Sequence, residues 1–438
     1  MTTVTAPATT STPLRFASKV RATSTASGGL SATIGAALLV TVVFVNDAVF
    51  RVADAEQATF DLQVAVRLVV CGLCGLYGLA HLRSALRTLT RGPALLVTAF
   101  ACWSTLLVPF SINPGFSAYA MVSLWCVLLF TAAVRNEVAP LSILKSIVIS
   151  LLVFLVASWL LWYVIPPLGQ EVQNVGDGVE VTRFGGLQHP NGLGRQCALT
   201  VAMLLVVGLD HVGRWRRLVI PIVFTVFTGV WTESRTAILV MAALIAAAAC
   251  CRLPKRKLAL AGVMIIPLTA AFFGMGLSTG IVEVKVDRMA EKLSRDGDAN
   301  EVYSLNSRTQ VWDFAMDRFW RSPLIGYGQG CQRFVMKDNF FPTHHAHNIL
   351  LNVALGTGVI GAGLLLWQAI VLARRCLVRP SAFTGLFLLS VLLFGMTDSV
   401  MLGSMPDSHT ILWWLALFLP AGLSDWSTRP LGHAEEFA

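Results

Sequence analysis

Charged residues are scarce in this chain. Asp, Glu, Lys and Arg supply only 13% of its 438 residues, whereas hydrophobic residues supply 55% and the mean hydropathy is +0.69. A soluble domain of this length needs much less apolar surface to bury a core. Since the apolar residues also recur in long runs, the sequence predicts an integral membrane protein.

The sequence also has no stripe of positive charge. Its formal net charge is +9, but the basic residues are scattered between the apolar runs, without the interleaved aromatic residues of a nucleic-acid-binding surface. This excludes nucleic acid as a partner. A cleavable signal is missing too, because Asn46, Asp47 and further acidic residues follow the first apolar run, which is therefore predicted to remain as an anchor.

Cysteine chemistry has little support. Most of the nine cysteines lie within or at the ends of apolar runs, where they are expected to be core residues. Cys71 and Cys74 have the spacing of a redox motif, but inside a run they are out of reach of solvent and partner thiols, which disfavours a redox role. Cys331 stands alone outside the membrane.

The apolar runs have the length that crosses a bilayer, roughly 17 to 25 residues. They lie at 29–46, 62–80, 93–110, 118–134, 141–165, 192–209, 218–232, 236–251, 258–280, 349–372, 382–399 and 409–424. We therefore predict an all-α bundle of about twelve transmembrane helices. The seventh and eighth runs are the closest pair, and merging them would reverse the sidedness of everything that follows.

Positive charge predicts the orientation, because Lys and Arg are retained in cytoplasmic loops. Basic residues recur on every second crossing, around positions 83–91, 214–217, 252–257 and 374–379. Both termini are therefore predicted to be cytoplasmic. Residues 1–28, rich in Thr, Ser and Ala, are expected to form a disordered cytoplasmic tail, and residues 425–438 a second tail.

The longest predicted extracytoplasmic segment, 281–348, separates nine helices within 29–280 from three within 349–424. Apolar residues recur at helical spacing in 282–293 and again in 311–320. Both patterns predict amphipathic helices, which either rest on the bilayer surface or form a packed cap over the bundle. The loop before the tenth helix is thus predicted to be large and partly helical.

Residues suited to chemistry lie on this same side. The run 343–348, Thr-His-His-Ala-His-Asn, ends the long loop directly before an apolar helix and places imidazoles at the membrane surface. Arg183, Arg235 and Arg308 are also predicted on the extracytoplasmic side, although basic residues are usually retained in the cytoplasm. A local ion pair or headgroup contact would explain any one of them, but together with the histidines they predict a shared anionic ligand.

Two other kinds of site receive less support. The glycine-rich segment 323–330 could bring backbone amides to a phosphate, but no strand precedes it and no Lys-Ser or Lys-Thr follows, so a flexible turn is favoured. A metal at His345 and His347 is disfavoured, because no carboxylate or cysteine stands beside them and residues two apart in a helix do not share a face.

Taken in order, the motifs resemble the O-antigen ligase and polysaccharide polymerase superfamily. They are Arg183 with Gly186 and Pro190-Asn191, Ser234-Arg235-Thr236, Ser307-Arg308 with Trp312, the segment 323–328, and His345-Ala346-His347-Asn348. The resemblance covers residues 180 to 375 and implies a GT-C-like multi-pass protein of the bacterial plasma membrane, with its active site on the extracytoplasmic face. The extra histidine, His344, leaves the identity of the active histidine open.

The resemblance implies transfer of a glycan from an undecaprenyl diphosphate carrier to an acceptor hydroxyl. Arg183 and Arg235, with Arg308, would hold the diphosphate, and His347 or His345 would act as the base. Arginine matches phosphate oxygens two at a time and stays charged, while histidine titrates near neutrality. The chemistry therefore requires no metal or other cofactor, and attack opposite the diphosphate would invert the anomeric centre.

The surroundings of this predicted site are less well defined by the sequence. Asn191 begins the sixth predicted helix and could cap it or bind sugar, with capping favoured. Arg195 lies one turn further in, where a charge is expensive, and should face the bundle interior. Asn348 joins them as a predicted pocket residue. His347 is favoured slightly over His345 as the base because it abuts the tenth predicted helix and would be better fixed.

Several functions remain open at this point. We favour a polymerase of exopolysaccharide or O-antigen repeats, with ligation to a lipid A core or to protein as alternatives. Expected partners are the lipid-linked oligosaccharide, an acceptor glycan or glycolipid, the lipid bilayer and other polysaccharide-assembly proteins. A transporter or lipid flippase is disfavoured, since the ionisable residues fall near helix ends rather than at the bilayer midplane and the chain lacks two similar halves.

Overall fold

The computed structural model describes residues 27–49, 62–174, 180–210, 215–250, 308–337, 345–378, 381–399 and 401–419. The predicted N-terminal and C-terminal tails lie almost entirely outside these residues. The predicted ninth membrane helix, the amphipathic pattern at 282–293 and His344 lie outside them as well.

Most of the described chain is helical. The first part contains α1 (Ser27–Asp47), α2 (Leu62–Ala80), α3 (Leu82–Leu89), α4 (Ala94–Leu106), α5 (Pro114–Glu137), α6 (Pro140–Val164), α7 (Pro166–Gly169), α8 (Pro190–Asp210), α9 (Trp215–Trp231) and α10 (Arg235–Cys250). The second part contains α11 (Arg308–Arg321), α12 (Gln332–Met336), α13 (Ile349–Val378), α14 (Ala382–Gly395) and α15 (Ser408–Phe418). A 3-10 turn, Val108–Phe110, follows α4.

The membrane character predicted from composition is present in the helices. Six of the described helices, α1, α2, α5, α6, α8 and α13, are long and apolar enough to cross a membrane, and α4, α10, α14 and α15 are shorter apolar helices. Each predicted span that falls in the described residues corresponds to a helix. The seventh and eighth are separate, since α9 ends at Trp231 and α10 begins at Arg235.

One small hairpin was not anticipated by the sequence. Strands β1 (Gln170–Asn174) and β2 (Glu180–Phe184) pair antiparallel, with Gln170 opposite Phe184. Strand β1 is mostly polar and carries little strand preference, whereas β2 contains the strand-favouring residues Val181, Thr182 and Phe184. Cross-strand pairing with β2 therefore fixes β1. The hairpin determines where Arg183, the second-last residue of β2, enters the bundle.

The described helices define two opposite ends of the bundle. Helix α13 begins two residues after His347 and reaches Arg375 near its end, which places these residues roughly 40 Å apart at 1.5 Å per residue. Arg375 lies beside Arg87, Arg91 and Arg135. We call the end of the bundle that contains His347 the histidine end and the end that contains Arg375 the basic end.

Helix α8 lies at the centre of the bundle. It packs against α6, α9, α10 and α14. In its most apolar stretch of 18 residues, 83% of the residues are buried. Its first residues, including Asn191 and Arg195, lie at the histidine end. Asn191 and Arg195 are partly buried there, so their polar side chains are expected to contact other protein groups.

Helix α13 is interrupted at Gly358, whose φ is +68°. The interruption frees the carbonyls of Leu355 and Gly356, which accept hydrogen bonds from the amides of Tyr327 (2.8 Å) and Gly328 (2.9 Å). The glycine-rich segment 323–330 is therefore fixed against α13. Because these two amides are already occupied, the interpretation of the segment as a phosphate-binding loop has no support, and it is not a flexible turn.

Helix α11 confirms the second amphipathic pattern, which was predicted at 311–320. Its apolar face packs against α12, the histidine segment and α13 in a second core cluster of Val311, Ala315, Val335, Met336, Ala346 and Leu355. This arrangement favours a packed cap at the histidine end. Trp320 on the same helix remains 68% exposed.

Candidate active site

The start of α8 is fixed by a turn pressed against α6. Gly186 has a φ of +59°, and a Cβ on it would collide with Ser158 of α6. The turn delivers Pro190 as the first residue of α8, a position that proline favours. His189 supplies the cap that was predicted for Asn191, because His189 Nδ1 accepts a hydrogen bond from the Asn191 amide (3.2 Å).

Arg183 joins the start of α8 to the turn between α9 and α10. Its guanidinium donates to the Thr232 carbonyl (2.9 Å) and to Asn191 Oδ1 (3.3 Å), and its Nε lies 4.0 Å from Glu233 Oε2. The residue is only 3% exposed. Asn191 is thus a partner of Arg183 rather than a helix cap.

Arg235 is the first residue of α10 and is half-buried. The tight turn before it contains Glu233 at a φ of +55° and is stabilised by a hydrogen bond from Thr232 Oγ1 to the Gly229 carbonyl (2.7 Å). Since Arg183 binds the Thr232 carbonyl, the two arginines that the sequence paired meet at one turn of the structure.

Asp398 lies where the histidine segment meets α8, in the loop that follows α14. Its Oδ1 is 3.2 Å from His345 Nε2 and 3.7 Å from His347 Nδ1, and its Oδ2 accepts a hydrogen bond from Arg195 Nη1 (2.9 Å). The two imidazole rings are 4.2 Å apart. Arg195 faces the bundle interior as predicted, with 14% of its side chain exposed.

The sequence interpretation did not single out Asp398. A carboxylate at the end of an apolar span is costly in the membrane and therefore marks a functional position, and this signal could have identified it. What the sequence could not show is the partner set, because Arg195, His345 and Asp398 come from distant parts of the chain.

Arg308, the first residue of α11, lies close to this cluster. It interacts electrostatically with both Asp398 and His347. Burial lowers the pKa of Arg308, and the neighbouring Asp398 opposes that shift. Arg308 thus lies beside the histidines, and its role in binding the diphosphate stays a prediction.

The cluster controls the protonation of its members. Burial alone would raise the pKa of Asp398, but Arg195, His345 and His347 outweigh it and hold that pKa well below its usual value. Burial lowers the pKa of His347, although the neighbouring Asp398 carboxylate acts in the opposite direction. At neutral pH the site therefore contains an ionised carboxylate and a neutral His347.

The backbone holds His347 in an unusual conformation. Its φ is +49°, a region that residues other than glycine seldom adopt and that is enriched at functional sites. On its C-terminal side, Asn348 Oδ1 accepts a hydrogen bond from the Leu351 amide (3.1 Å) and caps α13. Asn348, predicted as a pocket residue, thus fixes the position of the histidine beside it.

A second group of buried polar residues lies around Arg195. Arg195 interacts electrostatically with Asp47, Asp407 and His409. Asp47 Oδ1 accepts a hydrogen bond from the Ser408 amide at 3.3 Å. Arg195 thus provides one cation for several buried carboxylates. These partners were not identified from the sequence, since they lie at the end of α1 and at the start of α15, far from Arg195 along the chain.

The donor atoms of His345, His347 and Asp398 lie within 4.8 Å of one another, close enough to hold a metal ion. The two sequence reasons against a metal were wrong. Residues 345–347 are not helical, and Asp398 supplies the carboxylate that was absent locally. Electrostatics still opposes a divalent cation here, because Arg195 occupies one oxygen of Asp398 and Arg308 adds a second positive charge.

Together these features define an integral membrane protein with a cluster of arginines, histidines and one carboxylate at one end of its helical bundle. Residues 220–366 match the family model described as O-antigen ligase, which supports the predicted resemblance to that superfamily. Members of this family are enzymes that act on lipid-linked glycans. The match includes Arg235, Arg308 and both histidines, whereas Arg183 and Asp398 lie outside it. A comparison with curated proteins found no match.

Proposed function

We propose that the protein transfers a glycan from an undecaprenyl diphosphate carrier to an acceptor sugar hydroxyl. The observation that carries this proposal is the cluster around Asp398, which holds His345, His347 and Arg195 at the same end of α8 as Arg183. Asn191 and Arg195 are four residues apart in α8, or about 6 Å along its axis. Arginine charge and a neutral imidazole are therefore close together.

The arginines would stabilise the leaving diphosphate. Arg235 is half-buried at the start of α10 and Arg308 lies beside the histidines, so these two are proposed to contact phosphate oxygens directly. Arg183 is buried beneath the same turn and adds positive charge while holding the turn in place. Preorganised cations of this kind contribute on the order of 10²-fold or more in rate each.

The base would be His347, with His345 as its alternative. Asp398 faces Nδ1 of His347, so Nε2 is the nitrogen that takes the proton from the acceptor hydroxyl. The acceptor oxygen then bonds to the anomeric carbon, and the bond from that carbon to the diphosphate oxygen breaks, with the electron pair leaving on the diphosphate. Asp398 stabilises the imidazolium that forms, and attack opposite the leaving group inverts the anomeric centre.

The proposed location follows from the distribution of charge. Arg87, Arg91 and Arg375 lie at the basic end, which the retention of Lys and Arg assigns to the cytoplasm. The histidine end then faces the outside of the bacterial plasma membrane, and both termini are cytoplasmic. This is the side on which a lipid-linked glycan would meet an acceptor outside the cell.

The acceptor decides between two activities. Polymerisation of exopolysaccharide or O-antigen repeats remains our first proposal. Ligation to a lipid A core is the second, and the description of the matched family as O-antigen ligase favours it. Both use the same donor and the same proposed base.

The test supplies purified protein with a lipid diphosphate oligosaccharide, first alone and then with lipid A core. A ladder of products without added acceptor supports a polymerase, and a single product formed only with lipid A core supports a ligase. The His347→Ala variant serves as the inactive control. If folded wild-type protein forms no product with either acceptor, the transfer proposal fails.

A further inference from the structure

The basic end contains a cavity of about 550 Å³, a size typical of small-ligand sites. It lies between the turn that joins α3 to α4 and the cytoplasmic-side ends of α5, α13 and α15. Its charged lining consists of four arginines and one glutamate: Arg87, Arg91, Arg135, Arg375 and Glu137. The cavity therefore carries an excess of positive charge far from the histidine site.

Two of these arginines have a structural role. Arg375 Nη1 donates to the carbonyls of Ala416, Leu417 and Leu419, each at 3.0 Å, and Arg135 Nε donates to the Phe418 carbonyl at 3.3 Å. These bonds satisfy the last carbonyls of α15, which have no partner within the helix. Capping thus accounts for Arg135 and Arg375 without any ligand.

Capping does not account for Arg87 and Arg91. Both are exposed, and neither side chain forms a hydrogen bond or ion pair with the described residues. Arg87 lies in α3 and Arg91 in the turn that follows it, and both line the cavity together with Ala94, the first residue of α4. The positive end of a helix dipole adds to the potential of the arginines there.

Exposed leucines adjoin the cavity-lining residues in the sequence. Leu86 is 45% exposed beside Arg87, Leu95 is 53% exposed in the first turn of α4, and Leu377 is 66% exposed after Arg375. A ligand with a phosphate in the cavity could therefore place hydrocarbon chains against these leucines. Basic pockets between membrane helices on the cytoplasmic side suit anionic lipid headgroups for this reason.

We propose that this cavity binds a phosphate-bearing anion at the end of the bundle opposite the transfer site. The exposed leucines favour an anionic membrane lipid as the source of the phosphate over a free phosphate compound. Arg87 and Arg91 bind the phosphate oxygens, while Arg135 and Arg375 hold α15 in place and supply background charge. The site is independent of the glycan-transfer proposal, because it contains none of its residues.

The test measures binding of purified full-length protein to phosphatidylglycerol, to phosphatidylcholine and to inorganic pyrophosphate. The variant Arg87→Gln/Arg91→Gln removes the two arginines without disturbing the caps of α15. The matched control is Arg216→Gln/Arg217→Gln, which removes the same charge from two exposed arginines at the start of α9 and outside the cavity. Melting temperature with each probe reports binding to the folded state.

Wild-type protein is expected to bind phosphatidylglycerol but not phosphatidylcholine. Each arginine beside an anionic lipid strengthens binding about fivefold, so the cavity variant should bind roughly 30-fold more weakly, with the control within about twofold of wild type. Binding of pyrophosphate with the same dependence would support the phosphate site and assign it to a soluble ligand. The proposal would be overturned if the cavity variant and the control variant lost equal binding affinity. It would also be overturned if wild-type protein bound neither phosphatidylglycerol nor pyrophosphate.

Discussion

His347 is the proposed base, and both the sequence and the structure distinguish it from His345. The sequence favoured it over His345 because it abuts a membrane helix. The structure adds that it is the more buried of the two, with 27% of its side chain exposed against 40% for His345. It also shows a backbone φ of +49°, so the ring is held in place by its surroundings rather than by local preference.

Replacement of His347 by Ala should reduce glycan transfer by roughly 10² to 10⁴-fold, the contribution expected of a general base. His345→Ala is the matched variant, because His345 contacts the same oxygen of Asp398. Product formation and melting temperature would be measured for both proteins. A larger loss in His345→Ala than in His347→Ala would assign the base to His345.

The pH dependence of transfer should follow from the pKa of His347, which burial lowers below its ordinary value. A base must be unprotonated, so the rate should be constant at neutral pH and fall as the pH drops through this lowered pKa. Asp398 raises the pKa of His347 against burial. In Asp398→Asn the acid limb should therefore move to lower pH, and the plateau rate should also fall.

The comparison of pH profiles distinguishes a positioning role from a purely structural one. If Asp398 only stabilised the fold, Asp398→Asn would lower the melting temperature and the amount of active protein without moving the acid limb. An unchanged limb in folded Asp398→Asn protein would contradict the proposed coupling.

The metal-binding geometry around Asp398 leads to a test of cofactor dependence. Arg195 occupies Oδ2 at 2.9 Å, and Arg308 adds a positive charge near His347. Treatment with a chelator followed by its removal should therefore leave the transfer rate unchanged. A loss that added Zn²⁺ restores would show that His345, His347 and Asp398 hold a catalytic metal.

Among the elements, α13 depends most on a single residue. Gly358 has a φ of +68°, and a Cβ on it would collide with the Leu324 carbonyl. Gly358→Ala should therefore destabilise the protein, by about 1–3 kcal/mol if the strain is absorbed locally. It should also displace segment 323–330, whose amides bond to the freed carbonyls of α13.

The matched control for this prediction is Gly363→Ala in the same helix. A Cβ on Gly363 meets nothing within 4 Å, and alanine is favoured over glycine in a helix by about 1 kcal/mol. Thermal unfolding should show a lower melting temperature for Gly358→Ala and no decrease for Gly363→Ala. Similar melting temperatures in the two variants would contradict the importance of the kink.

The turn between α9 and α10 shows how an element boundary serves the site. Only Thr232, Glu233 and Ser234 separate the two helices. If α9 and α10 formed one continuous helix, the turn to which Arg183 binds would not exist. The polar residues at this break predicted the boundary correctly, but the hydrogen bond from Arg183 to the Thr232 carbonyl became visible only in the structure.

At the scale of the whole molecule, the two ends of the bundle have different chemistry. The histidine end contains the proposed transfer site, and the basic end contains the phosphate cavity. Helix α13 connects the two, since it begins two residues after His347 and carries Arg375 near its other end. This separation predicts that the two sites face different compartments.

Cysteine labelling tests this orientation. In a background in which the exposed Cys102 is replaced by Ser, Asp317→Cys on α11 should react with a membrane-impermeant thiol reagent in intact cells. Arg374→Cys near the end of α13 should react only after the cytoplasmic side is exposed. Both positions are exposed in the structure, so access rather than burial decides labelling, and the reverse pattern would invert the proposed topology.

The sequence by itself determined the class of protein and predicted the type of chemistry that we propose. Apolar runs of membrane length fix the helices, because a backbone in lipid must satisfy its hydrogen bonds internally. The motifs at Arg183, Arg235, Arg308, His345 and His347 also indicated the superfamily. These are local features, and local features can be read from neighbouring residues.

Only the tertiary structure decided which of these groups meet. Asp398 joins His345, His347 and Arg195 although about 200 residues separate Arg195 from Asp398. The kink of α13 likewise depends on contacts with segment 323–330, which lies outside that helix. Because such contacts are selected by packing and electrostatics in the folded chain, no single stretch of sequence contains the information that specifies them.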